Sequence, residues 1–186
     1  MAALSRVLGL IAALILGGKA MAADLENTLY MDVPAGRVVI EMRPDLAPKT
    51  CAQIKALVRR GFYDGIVFHR VIDGFMAQTG DPKGDGTGGS GHKLEAEFSN
   101  EKHVRGVVSM ARASDPNSAD SQFFIMLAPA PSLDGKYTIW GKVVSGMEYI
   151  DQIKKGDPAR NGTVTNPDKI IKMQVAADAE KTEKKP

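Results

Sequence analysis

Between Tyr63 and Gly80 the chain reads YDGIVFHRVIDGFMAQTG, and Arg70 and Gln78 stand there among bulky apolar residues. That mixture suits the wall of a surface groove better than a plain core strand or a solvated loop. A guanidinium stays charged at any relevant pH and offers planar, directional N–H donors. Held beside an apolar hollow, such a donor stabilises a lone pair as it localises in a transition state. No nucleophile, metal or cofactor is needed. On a strand the two-residue period puts Met76 and Gln78 on one face, where the amide can hold the arginine in place. Phe75 follows the Asp73-Gly74 turn, where that parity is lost.

Two later segments repeat the pattern of groove and core. In Ser121-Gln122-Phe123-Phe124-Ile125, Gln122 and Phe124 share a strand face while Phe123 and Ile125 point oppositely. One aromatic therefore enters the core and the other lines a groove. Ala111 and Ala113 also share a face, and their small side chains let a peptide backbone approach closely. Leu133-Asp134-Gly135-Lys136 closes the set as a turn.

Other chemistries fail on context. Gly84-Asp85-Gly86-Thr87-Gly88-Gly89 matches G-x-G-x-x-G, but no apolar strand precedes it and no helix follows, so a dinucleotide site lacks its frame. The glycines instead let a surface loop wrap tightly beside the groove. Asp81 and Asp85 hint at calcium, yet Lys83 intervenes and position twelve is His92 rather than glutamate. His69, His92 and His103 have no metal spacing, so no metal is expected. His69 reads as a packed residue. Cys51, the lone cysteine, lies at helical spacing with Ile54, Leu57 and Val58 and reads as inert packing rather than a catalytic thiol. Asn161-Gly162-Thr163 is a glycosylation sequon, meaningful only in a eukaryotic secretory pathway.

The elements that must position these residues are mostly short strands. Leu29, Met31, Val33 and Val38, Ile40, Met42 alternate around Pro34-Ala35-Gly36, a hairpin pattern. Pro48 to Arg60 is helical, with proline early, arginines in the last turn and Gly61 just beyond. A second helix is expected over Met147 to Lys155. Val104–Met110, Gln122–Leu127, Tyr137–Val144 and Lys169–Val175 are the clearest later strands. Many short strands with two helices fit an antiparallel barrel rather than a βαβ sheet.

The ends differ from the middle. Arg6 precedes a compact apolar stretch, Val7 to Leu16, and Ala20-Met21-Ala22 has the form of a signal-peptide cleavage site. That stretch is too short to span a bilayer, which takes about 20 residues. Residues 1–22 therefore read as a signal peptide, residues 23–177 as one domain, and 178–186 as a frayed charged tail. The expected location is periplasmic or secreted, with no stable membrane association after cleavage. The whole chain has 24 basic and 22 acidic residues; losing Arg6 and Lys19 with the leader makes the two equal. Nothing basic remains to argue for nucleic acid.

Taken in order, the three motifs resemble the cyclophilin family of peptidyl-prolyl cis–trans isomerases, and the likeness runs from Asn27 to Val175. The resemblance implies a mainly β fold, a closed eight-stranded antiparallel barrel with a helix capping each end. It also implies that Arg70, in Phe68-His69-Arg70, is the catalytic arginine and that Gln78 supports it. Phe75, Met76, Phe124 and Leu133 would surround a proline ring, while Ala111, Ala113 and Gln122 would contact substrate backbone. Three positions depart from the pattern. Ser132 stands where many members carry tryptophan, which puts tight cyclosporin binding in doubt. Tyr137 replaces a rim histidine but still offers a hydroxyl, and Arg112 replaces an asparagine.

The chemistry so implied is rotation about an X–Pro bond, which crosses a barrier of about 18–20 kcal/mol because twisting destroys amide resonance. An apolar pocket disfavours the charge-separated planar amide, and a fixed donor meets the nitrogen lone pair as it appears. The expectation is a monomeric, cofactor-free isomerase acting on proline-containing polypeptides. The rival is a non-catalytic module of the same fold that binds proline peptides as a chaperone or scaffold. Retention of Arg70 favours the enzyme.

Overall fold

The structure, a computed structural model, describes residues 24–183; the expected leader lies outside the described residues. Strand β1 (Thr28–Val33) and β2 (Gly36–Met42) form the hairpin that the alternation predicts, with Val33 opposite Gly36. Leu29, Met31, Val33, Val38, Ile40 and Met42 are all buried, while the residues between them lie nearer the surface. A side chain at Gly36 would enter the Tyr149 ring.

Helix α1 (Pro48–Arg59) starts on proline and buries Thr50, Cys51, Ile54, Leu57 and Val58. Pro48 is suited to that first position because its missing N–H would have no helical partner. Ala47 provides no side-chain cap. Glu97 provides one from a distant segment, accepting from the Lys49 and Thr50 amides at 2.9 and 2.8 Å. At the other end Gly61 takes φ +66°, the left-handed conformation that ends many helices.

The remaining strands are short: β3 (Arg70–Ile72), β4 (Met76–Thr79), β5 (Val107–Met110), β6 (Phe123–Met126), β7 (Ile139–Ser145) and β8 (Lys172–Val175). Each lies within or close to a segment that the sequence marks as extended, usually with tighter bounds. All pairings are antiparallel, in the order β3-β4-β6-β5-β7-β2-β1-β8.

The expected closed barrel is not formed. The sheet is an open, curled half-barrel whose end strands β3 and β8 do not pair with each other. Among the described residues only single bridges span the gap, Val67 to Lys169 and Arg70 to Thr163, with backbone bonds such as Phe68 N to Asp168 O at 2.8 Å. In the connection before β8, Asn166 turns to φ +51° and Pro167 has no N–H to donate.

Helix α2 (Met147–Asp151) is shorter than expected, because Asp168 accepts the Lys154 amide and draws the chain away. The tail expected to fray from Asp178 continues instead as α3 (Ala176–Glu183). Ala176 and Ala179 bury its inner side, and Arg59 donates to Asp178 at 2.8 Å. No described helix is long and apolar enough to cross a membrane.

Apolar residues gather in two clusters on opposite faces of the curled sheet. The larger fills the interior, where Phe123 meets Tyr63 and Trp140 edge-on at 5.6 and 5.4 Å. The smaller contains Met76, Val107, Phe124, Met126 and Ile139, with Phe75, Leu133 and Tyr137 packed against it. Phe123 and Phe124 thus part to opposite faces, as strand parity requires.

Candidate active site

One cross-strand row lays out the site. Register places Arg70 opposite Gln78, Gln78 opposite Phe124, Phe124 opposite Ser109, and Ser109 opposite Ile139. Residues directly opposite across a sheet share a face. A single row therefore runs from a cation to an apolar floor, across five strands and the smaller cluster. Met76 and Met126 form the neighbouring row on the same face.

Above this row lies a cleft of about 540 Å³. Arg70, Gln78 and Asn161 stand on one side; Phe75, Met76, Phe124, Leu133 and Tyr137 form the other, with Ala111 at the edge. Phe75 reaches the cleft from the turn after Gly74, which takes φ +67°. Leu133 comes from a single 3-10 turn, Pro131–Leu133.

Arg70 is held on two sides. Its Nη1 donates to Gln78 Oε1 at 3.1 Å; Nε donates to the Asn161 carbonyl and Nη2 to Asn161 Oδ1, both at 3.0 Å. Gln78 in turn donates to Gln122 Oε1 at 3.0 Å, and the Gln122 amide donates to the Gly86 and Gly88 carbonyls. Five segments are thereby linked through side-chain amides. Burial draws the guanidinium pKa down from its ordinary value, but that value is so high that the group stays cationic.

Of the expected site residues, Arg70, Gln78, Phe75, Met76, Ala111, Phe124, Leu133 and Tyr137 all line the cleft. Ala113 and Gln122 line an adjoining hollow of about 310 Å³ instead, beside the glycine loop and Lys93. Gln122 has both ends of its amide occupied within the protein. Arg112 separates the two spaces: it donates to the Lys136 carbonyl and lies 4.7 Å from the Tyr137 ring centre.

The glycine loop is organised by Asp81, whose carboxylate accepts from the amides of Lys83, Asp85 and Gly86. His69 is buried in the cleft wall and burial lowers its pKa, which suits a packing residue. Cys51 is buried too, its thiol pKa pushed up to about 12 by loss of solvent.

Sequence reasoning missed Asn161. An Asn-Gly pair signals a turn, and Asn161 does take φ +53°. Nothing local, however, links that turn to an arginine 91 positions away.

An open antiparallel half-barrel with an arginine-edged apolar cleft defines a cyclophilin-like domain. Residues 28–175 match the family described as cyclophilin type peptidyl-prolyl cis-trans isomerase/CLD. A probable peptidyl-prolyl cis-trans isomerase of Brucella suis biovar 1 is 58% identical over 171 residues, covering 86% of this chain and 87% of that protein. A peptidyl-prolyl cis-trans isomerase-like 1 of Gibberella zeae is 42% identical, covering 84% and 99%. Among solved structures, cyclophilin AquaCyp293 from Hirschia baltica matches with a TM-score of 0.75 at 29% identity, covering 83% of this chain and 76% of its own. A Cryptosporidium parvum cyclophilin type isomerase, crystallised in the presence of the dipeptide Ala-Pro, matches at 0.72 and 31%, covering 80% and 98%. The chain belongs to the cyclophilin family and is a peptidyl-prolyl cis–trans isomerase.

Proposed function

We propose that the cleft holds an X–Pro segment with its proline ring against Phe75, Met76, Phe124 and Leu133, and that Arg70 performs the chemical role. The observation that carries this reading is the fixed guanidinium at the edge of the apolar cleft. Arginine has five N–H groups. Three are engaged by Asn161 and Gln78 in the described residues, which leaves two to meet the substrate. As the amide twists, the proline nitrogen becomes pyramidal and localises a lone pair. One free N–H donates to it, while the planar ground state gains less from that donor. The stabilisation is therefore differential, the condition for catalysis. Low polarity around the ring adds to it by disfavouring the charge-separated planar form.

Ala111, Ala113 and Gln122 serve the polypeptide on either side of the proline. Small side chains admit the backbone, and the Gln122 main chain already accepts from Ala111 N at 2.9 Å, so this edge is rigid. Tyr137 offers its hydroxyl at the rim. The substrates are unfolded or loop-exposed proline-containing polypeptides, and the cellular role is to speed a slow folding step. The dipeptide present with the Cryptosporidium relative agrees with that substrate class. Exposed Ser132, where many members carry tryptophan, makes cyclosporin a weak ligand. The protein acts as a monomer in the periplasm or outside the cell, after cleavage following Ala22; the mature N-terminus by mass spectrometry tests the location.

A protease-coupled assay on a short X–Pro peptide tests the chemistry. Arg70→Ala should lower kcat/KM by roughly 10²–10³, the worth of one preorganised donor. Equal rates for wild type and variant would overturn the assigned mechanism.

A further inference from the structure

Behind the apolar wall of the cleft, on the side away from Arg70, lies a buried polar line. The His103 side chain is fully shielded from solvent. Its Nδ1 lies 3.2 Å from Asp134 Oδ1 and its Nε2 3.2 Å from Ser109 Oγ, while Ser109 Oγ lies 2.9 Å from the Thr138 carbonyl. Asp134 directly follows Leu133, and Ser109 is paired with Phe124. The ring also stacks on Phe124, at 6.3 Å and 22°, and meets Tyr137 edge-on at 6.4 Å. Main-chain bonds tie the same pieces: the His103 amide donates to Asp134, and the Ala130 amide to the His103 carbonyl, both at 2.8 Å. One imidazole therefore braces Leu133 against Phe124.

Proton counting separates its two states. Asp134 is an acceptor, so Nδ1 carries a hydrogen. With the ring doubly protonated, Nε2 donates to Ser109, and the Ser109 hydroxyl donates to Thr138. All three contacts then form together. With the ring neutral, Nε2 only accepts, so the hydroxyl must turn to it and release Thr138. The neutral brace has one hydrogen bond fewer. The Thr138 carbonyl still accepts from Met110 N at 2.9 Å, so this state remains tolerable.

We propose that His103 is a positioning residue whose protonation tightens the Leu133–Phe124 wall, making the isomerase bind its substrate more strongly in acid. The proposal rests on the reading of the cleft as the X–Pro site. The reaction itself transfers no proton, so the Arg70 side gives kcat no matching dependence. The groups facing the ring are Asp134, Tyr137 and Ser109; Lys102 lies 3.4 Å from Asp134, and Arg112 covers Tyr137. Asp134 favours the charged ring, whereas burial outweighs it and keeps the neutral form at neutral pH.

The test is steady-state kinetics of wild type and His103→Gln between pH 7.5 and 5.5, with imidazole ¹⁵N NMR of the wild type. Wild-type KM should fall about three- to tenfold in acid, the span of one hydrogen bond, with kcat level. Its midpoint should coincide with the His103 titration, and the His103→Gln KM should stay flat. A flat wild-type KM, a slope kept in His103→Gln, or a midpoint following His69 would overturn the proposal. So would a neutral ring protonated on Nε2, which is seen without any variant. If Arg70→Ala abolishes activity while KM stays flat, this proposal fails and the cleft reading stands.

Discussion

The two sides of the cleft are built by different means. The polar side is a relay of amides, with Asn161, Arg70, Gln78, Gln122 and the glycine loop each contributing from a separate part of the chain. The apolar side follows from sheet register and burial, since Met76, Phe124 and Met126 face one way along paired strands. Directional bonds fix a donor to within a fraction of an ångström and fail when one link is cut. Packing tolerates shape changes but costs stability when volume is lost. Damage to the polar side should therefore appear in kcat, and damage to the apolar side in KM and stability together.

Arg70→Lys breaks that comparison most severely. An ammonium keeps the charge but cannot hold Asn161 and Gln78 while presenting further donors in one plane. We expect kcat/KM to fall about 10²-fold with thermal stability unchanged, measured by the coupled assay and a melting curve. Near-wild-type activity would show that charge alone suffices.

Phe124→Ala attacks the other side. Removing a buried phenylalanine typically costs about 3–5 kcal/mol, and the value here should sit at or below the lower end because one edge of the ring faces the cleft. Denaturant unfolding should register that loss alongside a raised KM. A lowered kcat at unchanged KM would erase the distinction between the two sides.

Asn161→Ala is a milder cut on the polar side. Its carbonyl remains to accept from Nε while the Oδ1 bond to Nη2 is lost, and alanine is in addition strained at the φ of +53°. One hydrogen bond to a charged group is worth about 1.5–3 kcal/mol, so kcat should fall roughly tenfold or more with KM little changed.

Legibility in the sequence divided along the same line. Strand period alone sorted Phe123 from Phe124 and put Met76 beside Gln78, so most of the apolar wall was readable. Phe75 and Leu133 sit on turns where no period applies; only the family resemblance placed them. Asn161 escaped because its partner is distant in sequence, and His103 because burial and a facing carboxylate leave no local signature. The open sheet was also hidden, since whether a curled sheet closes depends on the ends of two short strands. Helix α3 escaped for a different reason: its buried contacts are alanines, too small to mark an amphipathic face.

The smallest expected effect compares the two sides through their histidines. His69 lies behind the polar side and His103 behind the apolar one, and burial lowers the pKa of both below the ordinary value near 6.5. As pH falls through 6.5 the unfolded chain takes up these protons before the folded one does. The unfolded state then binds more protons, so stability declines toward acid until the folded pKa values are reached. The slope cannot exceed about 1.4 kcal/mol per pH unit for each proton excluded. Carboxylates held low by their partners, such as Asp134 beside His103 and Asp151 beside Arg105, add their loss only in stronger acid. Urea unfolding at intervals from pH 7.5 to 5 should show the decline. His69→Gln and His103→Gln should each remove part of the slope. If one substitution removes all of it, only that side of the cleft excludes protons, and the two sides differ in electrostatics as well as in construction.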